Sequence, residues 1–335
     1  MKTSTLMAIL RGIGAVGVRT AIFVLTLALC LLSGCGRNKA EPSPARGSEK
    51  TDRLKKVFKD VHFAAYTPLS YNPLPGHKHA ATSNGIREDL QLLRTNGLDG
   101  VVTYSCDQDD GLDQIVPIAA EMRMTVILGI WDIKSVREIA TAVDLATRFT
   151  NVVGVLVGNE TLLRGGSFED LEAAMKLVKA ALPSLPVSTS EPIASYGNED
   201  LRIMSDFYAL NVHWIFQGCR IDDYKAAVDW LIERCKSLRL LRYGDRPILV
   251  KEHGYPSGGD PRFTTDLQRE YWYYLIKSFP SSESNAVAVF EAFSLDWKSS
   301  AANPKDKFIK SEQYWGFWDD ARNSKPVVEA LKAWK

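Results

Sequence analysis

Neither sign of charge dominates this chain of 335 residues, in which 41 lysines and arginines face 40 aspartates and glutamates. Nucleic-acid binding ordinarily needs a basic excess, so that class of partner is excluded. Cysteine is scarce, with five in all. Cys30 and Cys35 lie in the N-terminal segment, which leaves Cys106, Cys219 and Cys235. Three thiols form at most one disulfide, so this is no disulfide scaffold, and whether any pair bonds stays open. There are also five histidines, and the cysteine spacings match no zinc pattern. No metal and no cofactor is expected on that basis. Low-complexity tracts and internal repeats are absent. The N-terminal apolar run, Ala21 to Leu32, is 12 residues long. A helix that crosses a bilayer needs about 20.

That short run has a different meaning. Lys2, Arg11 and Arg19 precede it, as in an export signal. It ends in Leu32-Ser33-Gly34-Cys35, which resembles a bacterial lipobox. There the cysteine sulfur receives diacylglycerol, and two or more acyl chains give stable anchoring where one does not. A plain signal peptide with an incidental cysteine is the alternative. The expected organisation is a lipoprotein signal peptide over 1–34, a flexible tether over 35–57 lipidated at Cys35, and a globular body over 58–335. The tether is rich in Lys, Arg, Glu, Pro, Ser and Gly and nearly lacks large apolar side chains. The location implied is the bacterial cell envelope, lipid-anchored. Gly36 rather than Asp after the cysteine favours an outer membrane where two membranes exist.

The body is 45% apolar in the ordinary globular way, enough for a large core. From Val61 onward, eight short apolar runs alternate with amphipathic stretches. The runs lie at 61–66, 100–104, 125–131, 152–158, 186–190, 207–213, 247–251 and 286–290. The intervening helices are expected at 86–96, 112–124, 135–150, 168–181, 198–205, 224–238 and 266–279, with a last one at 326–334. Runs that do not alternate suit strands buried on both faces, as in a parallel sheet. Eight strand–helix units in about 275 residues fit an α/β fold of the closed (β/α)8 TIM-barrel type. The rival is a doubly wound open sheet. It is disfavoured because Pro68 and Pro73, not a glycine-rich phosphate turn, follow the first strand.

Barrel active sites lie at the C-terminal ends of strands. The fourth strand ends in Asn159-Glu160 and the seventh in Glu252-His253-Gly254-Tyr255. Both glutamates directly follow very apolar runs, where a solvated surface residue is not expected. Two carboxylates across one pocket are what glycosidic cleavage requires: one protonates the departing oxygen, the other attacks or stabilises the anomeric carbon. Ion pairing at the rim is the bland explanation of either glutamate alone.

The ordered set of motifs is recognisable. Val157-Gly158-Asn159-Glu160 resembles the acid/base motif of glycoside hydrolase family 17, the β-1,3-glucanase-like family of a clan of retaining barrels. Lys251-Glu252-His253-Gly254-Tyr255-Pro256-Ser257 resembles its nucleophile motif. Phe290 to Phe293, Trp297-Lys298 and Glu312 to Phe317 are similar to bacterial members, as are Thr103-Tyr104-Ser105 and Leu128 to Trp131. The resemblance spans roughly residues 61–330. It implies that Glu160 is the general acid and then base, that Glu252 is the nucleophile, and that Asn159 bonds the sugar 2-hydroxyl. It implies Tyr66 and Tyr104 on the pocket floor, and Glu291, Lys298 and Glu312 in a polar network beside the nucleophile. Trp297 and Tyr255 are candidate stacking platforms. His213 and Trp214, at the end of the sixth strand, are candidates for orienting the nucleophile or simply for packing. Glu191, after the fifth, reaches the same mouth. Val102, His253 and Tyr255 depart from the family's usual residues, which touches linkage preference rather than the two-glutamate mechanism.

The function implied is a retaining glycoside hydrolase, a monomer, cleaving β-1,3-glucan by double displacement. A β-glucan transglycosylase would use the same intermediate. A non-catalytic carbohydrate-binding lipoprotein is the rival from another class.

Overall fold

Eight parallel strands close on themselves in sequence order, each bonded to the next and β8 to β1. They are β1 (Phe63–Tyr66), β2 (Gly100–Thr103), β3 (Thr125–Ile130), β4 (Val152–Asn159), β5 (Val187–Pro192), β6 (Tyr208–Asn211), β7 (Ile248–Glu252) and β8 (Asn285–Val289). The computed structural model describes residues 44–216, 223–301 and 308–334. Cys35 and Cys219 lie outside those residues. Cys106 and Cys235 are buried free thiols. Among the described residues, no helix is long and apolar enough to cross a membrane.

The eight strand positions follow the apolar runs to within a few residues. Helix starts are set by side-chain caps. The hydroxyls of Thr82, Ser135, Ser167 and Thr264 each accept a backbone N–H from the first turn of the helix that follows. These caps satisfy donors that no helical carbonyl reaches. Two expected helices differ. The stretch from 112 divides into a 3-10 turn, Leu112–Gln114, and a short α-helix, Ile115–Glu121, with Pro117 in its first turn. The closing segment Pro326–Trp334 is 3-10 rather than α.

Because strand side chains alternate, the barrel has two buried layers. One, between strands and helices, contains Ala64, Val101, Val126, Val155, Leu210 and Val250. The other fills the interior with Phe63, Val102, Ile127, Leu156, Phe207, Ala209, Leu249, Ala286 and Ala288.

The helix Pro44–Asp60 completes that inner layer and corrects the expected tether. Leu54 and Phe58 have 0% exposure and join the interior cluster. Phe58 meets Phe63 and Phe207 edge-on, with centroids at 6.4 and 6.1 Å. Arg53 donates to the Thr150 carbonyl just ahead of β4, and Lys50 pairs with Asp206 just ahead of β6. The helix therefore covers the N-terminal end of the barrel, opposite the glutamates. Polar composition masked the spacing of Leu54, Val57 and Phe58, which puts three apolar side chains on one helical face. The folded unit starts at Pro44 rather than at 58.

Candidate active site

Local irregularities bring both glutamates to one mouth. Along β4 and β5 the pairing slips between Leu156 and Asn159. Gly158 there has φ of +80°, and Glu160 has φ of +51°. Positive φ is costly for a residue with a Cβ and clusters at functional sites. The Glu160 N–H is held by the Ser190 carbonyl at 2.7 Å. A Cβ on Gly158 would also crowd the Thr161 hydroxyl.

Glu160, His213 and Glu252 converge, with one polar atom of each within 4.8 Å of the others. Retaining enzymes hold their carboxyl groups about 5–5.5 Å apart and inverting ones about 6.5–9.5 Å apart. One carboxyl oxygen of Glu160 comes within 4.8 Å of one of Glu252, an approach that allows the shorter separation. Asn211 donates from Nδ2 to Glu160 Oε1 and to Asn159 Oδ1, both at 3.2 Å. Its own amide is oriented by the Ser190 hydroxyl, which donates to Oδ1 at 2.8 Å.

Glu252 is 6% exposed and has both oxygens engaged. Lys251 Nζ lies 2.9 Å from Oε1, and His213 Nε2 lies 3.0 Å from Oε2. Burial alone would raise its pKa, but the Lys251 charge and the His213 contact override burial and hold it well below the usual carboxylate range. The His213 imidazole moves the other way. Burial opposes its charge, yet the bond to Glu252 and the surrounding carboxylates raise its pKa. A cation could approach these three residues, but the buried Lys251 ammonium already sits on Glu252 and would repel it. The donor set fits proton and glycosyl transfer rather than a resident metal.

The expected polar network is also gathered here. Lys298 Nζ donates to Glu291 Oε2 at 2.6 Å. Burial pushes the Glu291 carboxyl up to about 7, against the Lys298 charge. Glu312 is raised mainly by burial, with His213, Lys298 and Glu252 as its charged neighbours. Tyr104 lies under Lys251, its ring centroid 3.8 Å from Nζ, and feels the charges of Glu252 and Glu291. Glu191 has 0% exposure and accepts the Leu162 N–H at 3.3 Å, in the loop that follows Glu160. Burial pushes its carboxyl up to about 7. Trp297 is half-buried at the rim and meets Tyr71 edge-on at 6.4 Å.

Three expected site residues are elsewhere. Tyr66 belongs to the layer between strands and helices. Its hydroxyl donates to Asp89 of the helix Ser83–Thr95 at 2.9 Å. Tyr255 has 0% exposure among Trp214, Phe263 and Tyr271 and offers no face for stacking. Trp214 stacks on Tyr255 and donates from Nε1 to the Gly254 carbonyl at 2.7 Å, which fixes the loop after Glu252 by packing. His213, its neighbour, touches Glu252.

Sequence reading gave no role to Asn211 or Lys251, although Asn211 ends β6 and Lys251 is the last residue but one of β7. Nor did it single out the exposed aromatics Trp131, Phe216 and Tyr314, which are 45, 41 and 36% exposed. Arg164 lies 4.0 Å over the Trp131 ring, with Glu160 and Glu191 among its charged neighbours. Buried Trp and exposed Trp look alike in a sequence, so position after a strand end was the one usable signal.

Residues 65–316 match the family model described as the BtgE/BtgC glycoside hydrolase domain. The chain is 25% identical over 262 residues to the "Cell surface mannoprotein MP65" of Candida albicans, covering 75% of this chain and 66% of that one. It is 25% identical over 311 residues to the "Probable glucan endo-1,3-beta-glucosidase btgC" of Aspergillus fumigatus, covering 82% of this chain and 44% of the relative. It thus spans about two thirds of one curated relative and less than half of the other. Both are fungal. Among solved structures, the family 17 β-1,3-glucanosyltransferase of Rhizomucor miehei superposes with a TM-score of 0.64 at 20% identity, over 81% of this chain and 97% of that one. An active-site mutant of that enzyme was solved in complex with laminaritriose.

Proposed function

This chain belongs to glycoside hydrolase family 17 through its BtgE/BtgC domain, and on that premise we propose that it cleaves β-1,3-glucan with retention, by double displacement. The observation that carries the proposal is the convergence of Glu160 and Glu252, with carboxyl oxygens within 4.8 Å at one mouth. Glu252, ionised and oriented by two partners, attacks the anomeric carbon. Glu160 gives its proton to the leaving oxygen, then takes one from the incoming water. Asn159 is proposed to bond the 2-hydroxyl, a contact that strengthens as charge develops at the ring. Glu291, Lys298 and Glu312 are proposed to bind sugar hydroxyls. Trp297 supplies an apolar face, as aromatic rings do for sugars.

Transglycosylation is the second reading. The superposing Rhizomucor miehei structure is that of a glucanosyltransferase, which favours it, as do the exposed aromatics at the mouth, which suit a sugar acceptor. Incubation with laminari-oligosaccharides, with product masses read over time, separates the two. Shorter products alone mean hydrolysis, and products longer than the substrate mean transfer. Absence of turnover on any β-glucan would leave the non-catalytic binding reading.

We also propose that Cys35 carries lipid, that the protein is anchored in a bacterial cell envelope, and that it acts as a monomer. Support comes from the motif Leu32-Ser33-Gly34-Cys35 behind a basic, apolar segment. Metabolic labelling with a fatty acid should mark the full chain and not its Cys35→Ser variant.

A further inference from the structure

Lys251 precedes Glu252 on β7, and in an unbroken strand the two would point to opposite faces. The pairing with β6 slips at this point: Leu210 faces Val250 and Asn211 faces Glu252, so Lys251 has no counterpart. Such a bulge re-aims side chains, here so that consecutive residues both reach the mouth. Lys251 is 1% exposed, and its ammonium donates to Asn159 Oδ1 at 2.6 Å and to Glu252 Oε1 at 2.9 Å. Its remaining side lies 3.8 Å from the Tyr104 ring centroid. A buried ammonium is costly unless paired in good geometry, and this one ties the end of β4 to the end of β7.

Resting on the glycosidase reading above, we propose that Lys251 is a positioning residue that sets Asn159 and Glu252 together. An ammonium has three donors and no acceptor, so it admits only the oxygen of the Asn159 amide. Asn211 donates to that same oxygen. The amide nitrogen is thereby turned away from both, ready to donate to a sugar hydroxyl. On Glu252 the effect is electrostatic. Burial and Lys298 lower the pKa of Lys251 itself, while Glu252 and Glu160 favour its charge, and beside His213 the ammonium favours an ionised carboxylate when a bound sugar excludes water. The depressed pKa of Glu252 agrees, with the Lys251 charge as the largest favourable cause.

The test uses an aryl β-laminaribioside with a good leaving group, whose departure needs no proton from Glu160. kcat/KM is read against pH for the wild type, Lys251→Met and Lys251→Gln. Loss of the ammonium raises the Glu252 pKa, so the acid limb should move to higher pH by about 1–3 units, as for removal of a close opposite charge. The rate penalty for a 2-deoxy substrate should also shrink, because Asn159 is no longer fixed. An unmoved acid limb with lower rates at every pH would overturn the proposal and leave Lys251 a packing role. A wild type that releases no aryl group would instead overturn the glycosidase reading. Should neither single variant fold, Lys251→Met/Glu252→Gln decides: folding of the double variant supports the charge pairing, and its failure overturns it.

Discussion

Glu160 and Glu252 differ in their surroundings, and the difference fits the roles proposed for them. Glu252 has an ammonium and an imidazole on its two oxygens, whereas Glu160 accepts a neutral amide from Asn211. Glu160→Gln is expected to lower turnover of natural glucan by about 10²–10⁴-fold, the usual weight of general acid–base catalysis. An aryl glycoside with a good leaving group should still be attacked by that variant, giving a burst without turnover. Glu252→Gln should remove both reactions, which steady-state and stopped-flow rates on the two substrates will check. Glu191 allows a separate test of stability. Its carboxyl is pushed up to about 7 by burial, from an unfolded value of about 4.3. A raised carboxyl binds its proton more tightly when folded, so its favourable contribution is present below about pH 4.3 and is lost as pH rises towards 7. Glu191→Gln resembles the protonated form. It is expected to raise Tm at pH 8 relative to wild type by about 2–4 °C, what ~1 kcal/mol yields in a domain of this size. The gain should vanish at pH 4, as thermal melts at the two pH values will show.

At the scale of elements, slips in strand pairing do what straight strands cannot. The slip in β4 carries Gly158 at positive φ into Glu160, and the slip in β7 turns Lys251 and Glu252 to one side. Gly158→Ala should therefore cost about 1–3 kcal/mol in strain, with a larger proportional loss of activity because Glu160 moves with the loop. Denaturant unfolding and kcat measured together test it, and a stable but fully active variant would contradict it. The helix Pro44–Asp60 acts at the other end of the barrel. Phe58→Ala leaves a cavity in the interior layer and should destabilise by about 3–5 kcal/mol. Its kcat at low temperature should stay near wild type, since the N-terminal face of such barrels serves stability and the other face serves chemistry.

For the whole molecule, the barrel was legible because eight strands buried on both faces leave uninterrupted apolar runs, and because strand ends map directly onto one mouth. The same logic pointed to Glu160 and Glu252, whereas Asn159, Tyr104, Glu291, Lys298 and Glu312 were named from the family resemblance. It failed where direction rather than position decides. Tyr66 and Lys251 both sit near strand ends, yet Tyr66 turns outward to Asp89 and Lys251 turns inward to Glu252. A one-residue slip exchanges these outcomes, and no periodicity in the sequence announces it. Tyr255 and Trp214 failed for another reason: an aromatic beside a nucleophile serves equally to stack on sugar or to pack the loop that holds the nucleophile. The Pro44–Asp60 helix was hidden by its charged faces, although Leu54 and Phe58 are as buried as any strand residue.

The central claim is that Glu252 bonds carbon while Glu160 handles the proton. Trapping tests it most directly. The enzyme is incubated with a 2-deoxy-2-fluoro-β-laminaribiosyl fluoride, digested, and the peptides weighed. One glycosyl adduct on the peptide that holds Glu252, released when a glucan acceptor is added, is the expected result. An adduct on Glu291 or Glu160, or turnover of glucan that yields the α-anomer first, would contradict it.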